Sequence, residues 1–348
     1  MVSSSPIPLN ELFSITKLTA QSKHIKAGNI LINLFGPDIG RFSQYNQDGN
    51  VPDGTGKVII LRPDIIDEDY LYLLLNSSRY PISWDRNKTV HRTTIEYRFL
   101  YHESITLPKL PIQKKIVQVF QKANCLLDMR RKSDSLMQQT FNAMFIHFFG
   151  DPVQNPKGFN IIPLSDAVAI NPSKKGISVP DDLWAPYIKM EDLLAEGYLL
   201  SDYRRVREML EGSYSSFANG DVLFPTSSPS LENGKGCVIT GLVQDIGFGS
   251  REFAVLRPIS DVTHAFWIHR LLSLPSSRKY TAQFLTGSTG RRRISVSFLK
   301  SWRVPVPPFE LQKEYADVVY SMNMIRQNQS LAKERLVQLL DFAQNNFL

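Results

Sequence analysis

An internal repeat constrains the fold of this chain more than any other feature of its sequence. Four short segments of the first half recur in the same order in the second half of the 348 residues. Chance similarity between short apolar strings does not produce four matches in register, so the sequence predicts two copies of one structural unit. The matched pairs are Ile7–Ile15 with Ile162–Ile170, Lys26–Ile32 with Ala218–Phe224, Val58–Pro63 with Phe253–Pro258, and Leu107–Pro111 with Val304–Pro308.

The two copies differ in length. The offset between matched segments is 155 residues at the first pair and 192 residues at the second pair. The first copy therefore lacks a segment between Ile15 and Lys26. The counterpart of that segment in the second copy is roughly Asn171–Ser216.

Each copy begins with a body that is predicted to be mixed α/β. The turn signals Gly28-Asn29 and Gly220-Asp221 each precede a short run rich in β-forming residues. Short helices are predicted at Asp69–Leu75 and Ala265–Leu274. We therefore expect a small, irregular sheet with one or more helices in each body.

Each body is followed by a proline-led entry into a long amphipathic helix. Apolar residues recur every three or four positions from Ile112 to Phe148 and from Leu311 to Phe342. Such helices favour a coiled-coil seam, and Gly150-Asp151-Pro152 predicts a sharp end to the first one. The predicted fold class is α+β, with mixed α/β domains at residues 1–107 and 151–303 and long helices at residues 108–150 and 304–348.

Composition restricts the class of protein. There are 40 Lys+Arg and 33 Asp+Glu, and the formal net charge of +7 weakly indicates an anionic partner. Cys125 and Cys237 are too few and too far apart for a disulfide-rich domain or a cysteine-based zinc site. The apolar runs are too short to span a membrane, and the first residues lack the pattern of a signal peptide, so we expect a cytoplasmic protein.

Basic residues concentrate in one segment of each copy. Thr286–Arg303 contains five basic residues and no acidic one. Glycines, hydroxyls and guanidinium groups together suit the phosphate backbone of DNA, because they allow close approach and donate several hydrogen bonds. The candidate contacts are Thr286, Ser288, Thr289, Arg291, Arg292 and Arg293, and in the corresponding stretch of the first copy Arg86, Lys88 and Arg92.

A second candidate segment is the serine-rich loop that follows Gly220-Asp221 and its strand. It runs from Pro225 to Ser230 and has basic residues downstream of it. Its candidate DNA contacts are Ser227, Ser228, Lys235 and Arg251. An ordinary solvated surface loop is the alternative reading of both this segment and the basic one.

Catalytic signatures are missing from the sequence. It contains neither Asn-Pro-Pro-Tyr nor Asp-Pro-Pro-Tyr, the motif of adenine methyltransferases, and Gly49–Lys57 has the wrong spacing for a P-loop. The acidic run Asp67–Asp69 fits the first turn of a helix better than a nuclease site. His264 and His269 lie five residues apart, which does not suit a metal site on one helical face. The sequence therefore predicts a binding protein with no metal and no cofactor.

The chain resembles the specificity subunits of type I restriction–modification enzymes over its whole length. The motifs that carry the resemblance are Gly220–Phe224, Thr286–Gly290, Val304–Pro308 followed by Leu311-Gln312, and Phe148–Pro152 at the join between the halves. The resemblance implies two target recognition domains, held apart by an antiparallel pair of long helices, that read the two halves of a split site in double-stranded DNA. It further implies docking of adenine methyltransferase subunits and, in a full complex, of restriction motor subunits. The family's specificity subunit has no catalysis of its own.

The shortened first domain departs from this family pattern. In the family, the region that contains Pro186–Asp192 helps to build the recognition surface, which makes Lys189 a further candidate DNA contact. We therefore expect the second domain to supply most of the sequence discrimination. A decayed scaffold protein that binds partner subunits without reading DNA is the alternative. A nuclease or other enzyme is disfavoured by the missing motifs.

Overall fold

The computed structural model of the chain describes residues 6–17, 24–33, 42–50, 55–61, 65–77, 104–174, 180, 182–194, 197–198, 200, 202–288 and 292–347. The chain divides into two compact units. Unit 1 comprises Met1–Lys132 and Gln329–Leu348, and unit 2 comprises Ser133–Asn328.

Unit 1 contains a four-stranded antiparallel sheet and one short amphipathic helix. Its elements are β1 (Ile7–Pro8), α1 (Leu9–Leu12), β2 (Phe13–Lys17), β3 (His24–Ile25), β4 (Ile30–Asn33), β5 (Phe42–Gln44), β6 (Gly49–Asn50), β7 (Thr55–Leu61), α2 (Glu68–Leu75), β8 (Ser104–Ile105) and the part of α3 (Leu110–Phe149) up to Lys132. The sheet has the order β2-β7-β4-β5. Leu12, Ile30, Tyr70 and Leu71 are fully buried in its core, and Asp67 accepts the Tyr70 N–H as the N-cap of α2.

Unit 2 repeats this plan with additional elements. These are β9 (Asn160–Pro163), α4 (Leu164–Ala167), β10 (Val168–Ile170), β11 (Trp184–Ile188), β12 (Leu193–Leu194), β13 (Gly197–Tyr198), β14 (Tyr203–Arg205), α5 (Val206–Glu211), β15 (Ser215–Phe217), β16 (Val222–Pro225), β17 (Cys237–Val238), β18 (Gly247–Gly249), β19 (Phe253–Pro258), α6 (Ala265–Ser273), α7 (Pro275–Ala282), α8 (Val296–Ser301), β20 (Arg303–Val306) and α9 (Phe309–Phe347), whose last part belongs to unit 1. Trp267, Ile268 and Leu271 of α6 are buried in its main core.

The strand order confirms the predicted duplication. The main sheet of unit 2 has the order β10-β19-β16-β17. In the sequence repeat these four strands correspond, in this order, to β2, β7, β4 and β5 of unit 1. The two-stranded pair β1-β8 is matched in the same way by β9-β20. The two units are therefore built on one framework sheet with one topology.

A second sheet distinguishes unit 2 from this shared framework. It has the order β14-β11-β18-β15, and β11 pairs in parallel with β18 while the other neighbours are antiparallel. The strands β11 and β14 lie in the segment that the first copy lacks. Ile188 and Leu193 of this segment are fully buried against Leu223 and Val255 of the framework sheet.

The turn before the central strand of each framework sheet is built in the same way. Gly28 and Gly220 have φ values of +88° and +86°, a left-handed conformation that glycine adopts without steric strain. The next residue closes the turn, because Asn29 accepts the Lys26 N–H and Asp221 accepts the Ala218 N–H. In unit 2, Arg257 of β19 also donates two hydrogen bonds of 2.8 Å to the buried Asp221 carboxylate.

The two long helices begin and end close to the predicted residues. α3 ends at Phe149, and Gly150 follows with a φ of +76°. In unit 2, Phe145 and Phe149 at the end of α3 pack on Tyr315 near the beginning of α9, with ring centroids 5.8 and 5.2 Å apart, so the two helices run antiparallel there. In unit 1, α3 and α9 contribute side chains to one core. The α+β fold class with two long helices is therefore as predicted.

Candidate nucleic-acid interface

Two of the predicted DNA-contact segments lie side by side in unit 2. We call Pro225–Ser230 the serine loop and Thr286–Arg293 the basic loop. Their backbones pair through the Ser228 N–H, which donates to Arg292 O, and the Ile294 N–H, which donates to Thr226 O. This pairing joins segments that are more than 50 residues apart in the sequence and places both on one surface of unit 2.

The base of the basic loop is closed by its own backbone. Thr286 and Arg293 exchange two hydrogen bonds of 3.0 and 2.8 Å between their N–H and C=O groups. Thr286 and Ser288 are exposed, and the Thr286 hydroxyl also donates to Arg293 O. Thr289 and Arg291 lie outside the described residues, as do the unit 1 candidates Arg86, Lys88 and Arg92.

Two of the candidate serines take part in the structure of the serine loop itself. Ser227 is 8 % exposed, and the Ser228 hydroxyl donates a 2.6 Å hydrogen bond to Glu232. The Leu231 N–H donates to Ser227 O and the Asn233 N–H to Pro229 O, which fixes the loop as a compact turn. The Ser228 hydroxyl is thus engaged within the protein, and Ser227 is buried in the turn.

Two glutamates, which the sequence patterns did not single out, lie among the arginines. Arg293 Nη2 donates to Glu252 Oε1 at 2.7 Å, and Arg292 Nη2 donates to Glu232 Oε1 at 3.1 Å. Glu252 is 41 residues before Arg293 in the sequence, and Glu232 is 60 residues before Arg292. Both acids are brought to the site by the pairing of the two loops, so no local pattern could have revealed them.

A polar cleft of about 450 Å³ lies between these loops and the segment that only the second copy contains. Its lining includes Met190, Ser227, Ser230, Glu252 and Arg293. The lining thus brings together a residue of the added segment, the serine loop and the basic loop. All three parts had been predicted separately as parts of the DNA-binding surface.

The remaining basic candidates that the structure describes differ in their partners. Lys235 Nζ donates to Met190 O at 3.3 Å, and Lys189 Nζ lies 4.0 Å from carboxylate oxygens of both Glu191 and Asp202. Arg251 is exposed, and it forms no ion pair with any other residue that the structure describes. Among the candidate arginines that the structure describes, Arg251 is thus the one without a carboxylate partner.

Arg251 lines a separate cleft, of about 510 Å³, with Asn171, Lys174 and Ser215. Lys174 Nζ donates to Met209 O and Gly212 O at the end of α5, where the negative end of the helix dipole favours a cation. Burial lowers the pKa of Lys174 from its ordinary value. The wall of this cleft is therefore fixed by a lysine that bonds to backbone carbonyls.

Neither a metal site nor a membrane span is found in the described part of the chain. Its His, Cys, Asp and Glu residues form no group of three or more that could hold a metal ion. His264, considered above as a metal ligand, is the N-cap of α6, and its Nδ1 accepts the Phe266 N–H at 3.3 Å. None of the described helices is both long enough and apolar enough to cross a membrane.

Comparison with known proteins gives sequence relatives and a shared fold. The chain is 30 % identical over 160 residues to the specificity subunit of the type I restriction enzyme EcoEI from Escherichia coli, and these residues cover 45 % of this chain and 26 % of the relative. It is 28 % identical over 168 residues to the EcoAI specificity subunit from the same organism, which covers 47 % of this chain and 27 % of that one. The chain thus matches about a quarter of the length of each relative. No protein-family model matches the sequence.

A solved structure extends the similarity to the whole fold. The type I restriction–modification S subunit from M. genitalium aligns with a TM-score of 0.58 over 100 % of this chain and 96 % of that chain, at 12 % sequence identity. At this identity the alignment shows a common fold. The sequence matches and the fold together confirm that this chain is related to the specificity subunits of type I restriction–modification enzymes.

Proposed function

We propose that the chain is the non-catalytic DNA-reading subunit of a type I restriction–modification complex and that it recognises a bipartite site in double-stranded DNA. The observation that carries this proposal is the convergence of the serine loop, the basic loop and the added segment on one polar cleft of unit 2. The cleft combines arginines, which bind phosphate or guanine through two parallel hydrogen bonds, with carboxylates and backbone groups. Such a mixture of hydrogen-bond donors and acceptors suits the recognition of base edges better than a surface of uniform positive charge does.

The two units correspond, in this proposal, to two target recognition domains. We assign residues 1–107 and 151–303 to these domains and residues 108–150 and 304–348 to the helices that separate them. The domain at 151–303 is the main source of sequence discrimination, because it alone carries the added segment with Lys189 and Met190 beside the cleft. The basic residues Arg86, Lys88 and Arg92 are proposed as the DNA contacts of the shorter domain.

Adenine methyltransferase subunits are the proposed partners of the long helices, and restriction motor subunits are proposed for the full complex. In unit 1, the α3 side chains of Val119, Leu126 and Met129 are between 56 and 60 % exposed. Their spacing of seven and three residues places them in one stripe, as in a coiled-coil seam. An apolar stripe on a helix that already buries its opposite side suits a partner helix. The protein is then expected in the cytoplasm, together with the DNA it reads.

Mapping of methylated adenines tests the function directly. We compare the genome of a host that carries the gene and an adjacent adenine methyltransferase gene with the genome of the same host after deletion of this gene alone. The expected result is a bipartite motif that is methylated in the first genome and unmethylated in the second. A genome without any methylated bipartite motif in the host that carries the gene would contradict the proposal. Methylation of the same motif in both genomes would also contradict it. A complex that assembles with the methyltransferase yet directs no methylation would favour the scaffold alternative.

A further inference from the structure

Two arginines of the basic loop are already occupied in the protein without DNA. The Arg293–Glu252 and Arg292–Glu232 pairs have N–O distances of 2.7 and 3.1 Å. Both pairs are only partly buried, with arginine side chains 56 and 44 % exposed and glutamate side chains 36 and 35 % exposed. Each pair is therefore open to exchange with an anion that arrives from solvent.

The carboxylates are set in place by the surrounding structure. Glu232 Oε2 accepts the Ser228 hydroxyl at 2.6 Å, and its backbone oxygen accepts Arg278 Nη1 at 2.6 Å. The backbone oxygen of Glu252 accepts both the N–H and the hydroxyl of Thr226. Both glutamates are thus held by hydrogen bonds to residues of the serine loop, next to the arginines that they bind.

Arg251, next to Glu252 in the sequence, provides a contrast to these two arginines. It is exposed and without an ion-pair partner among the residues placed by the structure, although it directly precedes Glu252. One arginine without an ion pair, Arg251, can therefore be compared with two arginines that carboxylates neutralise. Their behaviour toward phosphate should differ, because a neutralised guanidinium must release its carboxylate before it gains a phosphate.

We propose that Glu252 and Glu232 are specificity-determining residues that restrain Arg293 and Arg292 from binding DNA of arbitrary sequence. This inference rests on the proposed function. An incoming phosphate displaces each carboxylate, and the displaced carboxylate stays close enough to repel the DNA. A duplex that fits the cleft compensates for this loss with base contacts, whereas a duplex of arbitrary sequence does not. The two glutamates thereby lower non-specific affinity more than specific affinity.

The first experiment measures binding of a fluorescent, random-sequence duplex to the full chain at several salt concentrations. Because an exposed ion pair is weak, we expect Glu252→Gln to bind this duplex only about three- to fivefold more tightly. The slope of log affinity against log salt concentration should steepen by about 0.9, the value for one additional phosphate contact. The matched control is Glu310→Gln, which removes the same charge from an exposed pair with Lys313 at the beginning of α9, outside the added segment, and should bind like the unmodified chain.

A double-variant cycle then separates a specific restraint from a general charge effect. If Glu252 acts through Arg293, Arg293→Ala removes the gain, and Glu252→Gln combined with Arg293→Ala binds like Arg293→Ala alone. A gain that persists without Arg293 would show a general effect of charge and would overturn the proposal. Weaker binding by Glu252→Gln would also overturn it, since it would make Glu252 itself a DNA contact.

The failure of this inference is distinguishable from the failure of the proposed function. If the unmodified chain binds the duplex with a salt-dependent affinity and Glu252→Gln changes nothing, the restraint is refuted and the DNA-reading function stands. If the unmodified chain and every variant fail to bind DNA while their thermal unfolding transitions are unchanged, the proposed function itself is refuted.

Discussion

Gln113 and Gln312 make the same three hydrogen bonds at the same position of the two units. Gln312 Oε1 accepts the His264 N–H at 2.9 Å, and its Nε2 donates to Val262 O and Pro307 O at 3.0 and 2.8 Å. Gln113 Oε1 accepts the Asp67 N–H at 2.8 Å, and its Nε2 donates to Ile65 O and Pro108 O at 3.3 and 2.8 Å. In each unit one buried amide therefore binds the start of a long helix to the N-cap residue of the short helix beside it.

Replacement of Gln312 by Ala should destabilise unit 2. The change leaves one buried N–H and two C=O groups without their partner, which costs about 2–4 kcal/mol in the free energy of unfolding. Denaturant titration of the variant measures this loss. Gln121→Ala is the control, because Gln121 lies on the exposed side of α3 and its Nε2 donates an exposed hydrogen bond to the Asp69 carboxylate. A Gln312→Ala chain as stable as the control would contradict a role for this amide in joining the helix to its domain.

Replacement of Arg257 by Ala should lower the free energy of unfolding by more than the exposure of the Arg257 side chain suggests. The side chain of Asp221 is 1 % exposed and would keep a buried charge without its cation, at a cost of about 2–4 kcal/mol. Unfolding by denaturant is again the measurement. Combining Arg257→Ala with Asp221→Asn should recover part of the loss, because the neutral amide removes the uncompensated charge. No recovery in the double variant would show that packing of the Arg257 stem dominates.

Stability should fall as the pH drops below about 6.5, in part through His264. Burial lowers the pKa of His264 from its ordinary value, and the opposing effect of Asp317 is smaller. Because the pKa of His264 is lower in the folded chain than in the unfolded chain, the unfolded chain binds more protons as the pH falls. The stabilisation that is present above the unfolded pKa is therefore lost as the pH falls toward the folded pKa. Protonation of Nδ1 would also remove the acceptor of the Phe266 N–H. His264→Asn, which retains a capping acceptor, should show a smaller loss of stability over this pH range.

Truncation of Phe141 should test the packing of α3 in unit 2. Phe141 is fully buried in the main core, so Phe141→Ala should cost about 3–5 kcal/mol through lost burial and a cavity. Leu136→Ala is the control on the same helix, because Leu136 is 61 % exposed. The melting temperature of Phe141→Ala should be clearly lower than that of Leu136→Ala. Equal melting temperatures would be incompatible with the packing of this part of the helix.

Loss of Arg251 should weaken DNA binding in proportion to one phosphate contact. Arg251→Ala should reduce the slope of log affinity against log salt concentration by about 0.9. Arg207→Ala, at an exposed site on α5, should leave the slope unchanged. Binding of a random-sequence duplex by fluorescence anisotropy is sufficient for this comparison. An unchanged slope for Arg251→Ala would remove Arg251 from the proposed interface.

Sequence reasoning predicted the features that depend on local patterns. The repeat predicted one topology for both framework sheets, and the apolar spacing with Gly150 predicted the end of α3 near Phe149. The contacts of Glu232 and Glu252 escaped prediction, because they form between segments that only the folded backbone brings together. The burial of Ser227 escaped prediction for the same reason, since Ser227 pairs through its backbone with Arg293 of the basic loop.

The second sheet of unit 2 makes the added segment an exchangeable cassette. The framework strands β10, β16, β17 and β19 lie outside the segment, and unit 1 shows the same four-stranded order without it. A replacement segment would need apolar side chains where Ile188 and Leu193 enter the core, while the residues facing the cleft would be free to vary. Under the proposed function, replacement of this one stretch is expected to change the DNA preference without a change in either buried glutamine or in the helices that they hold.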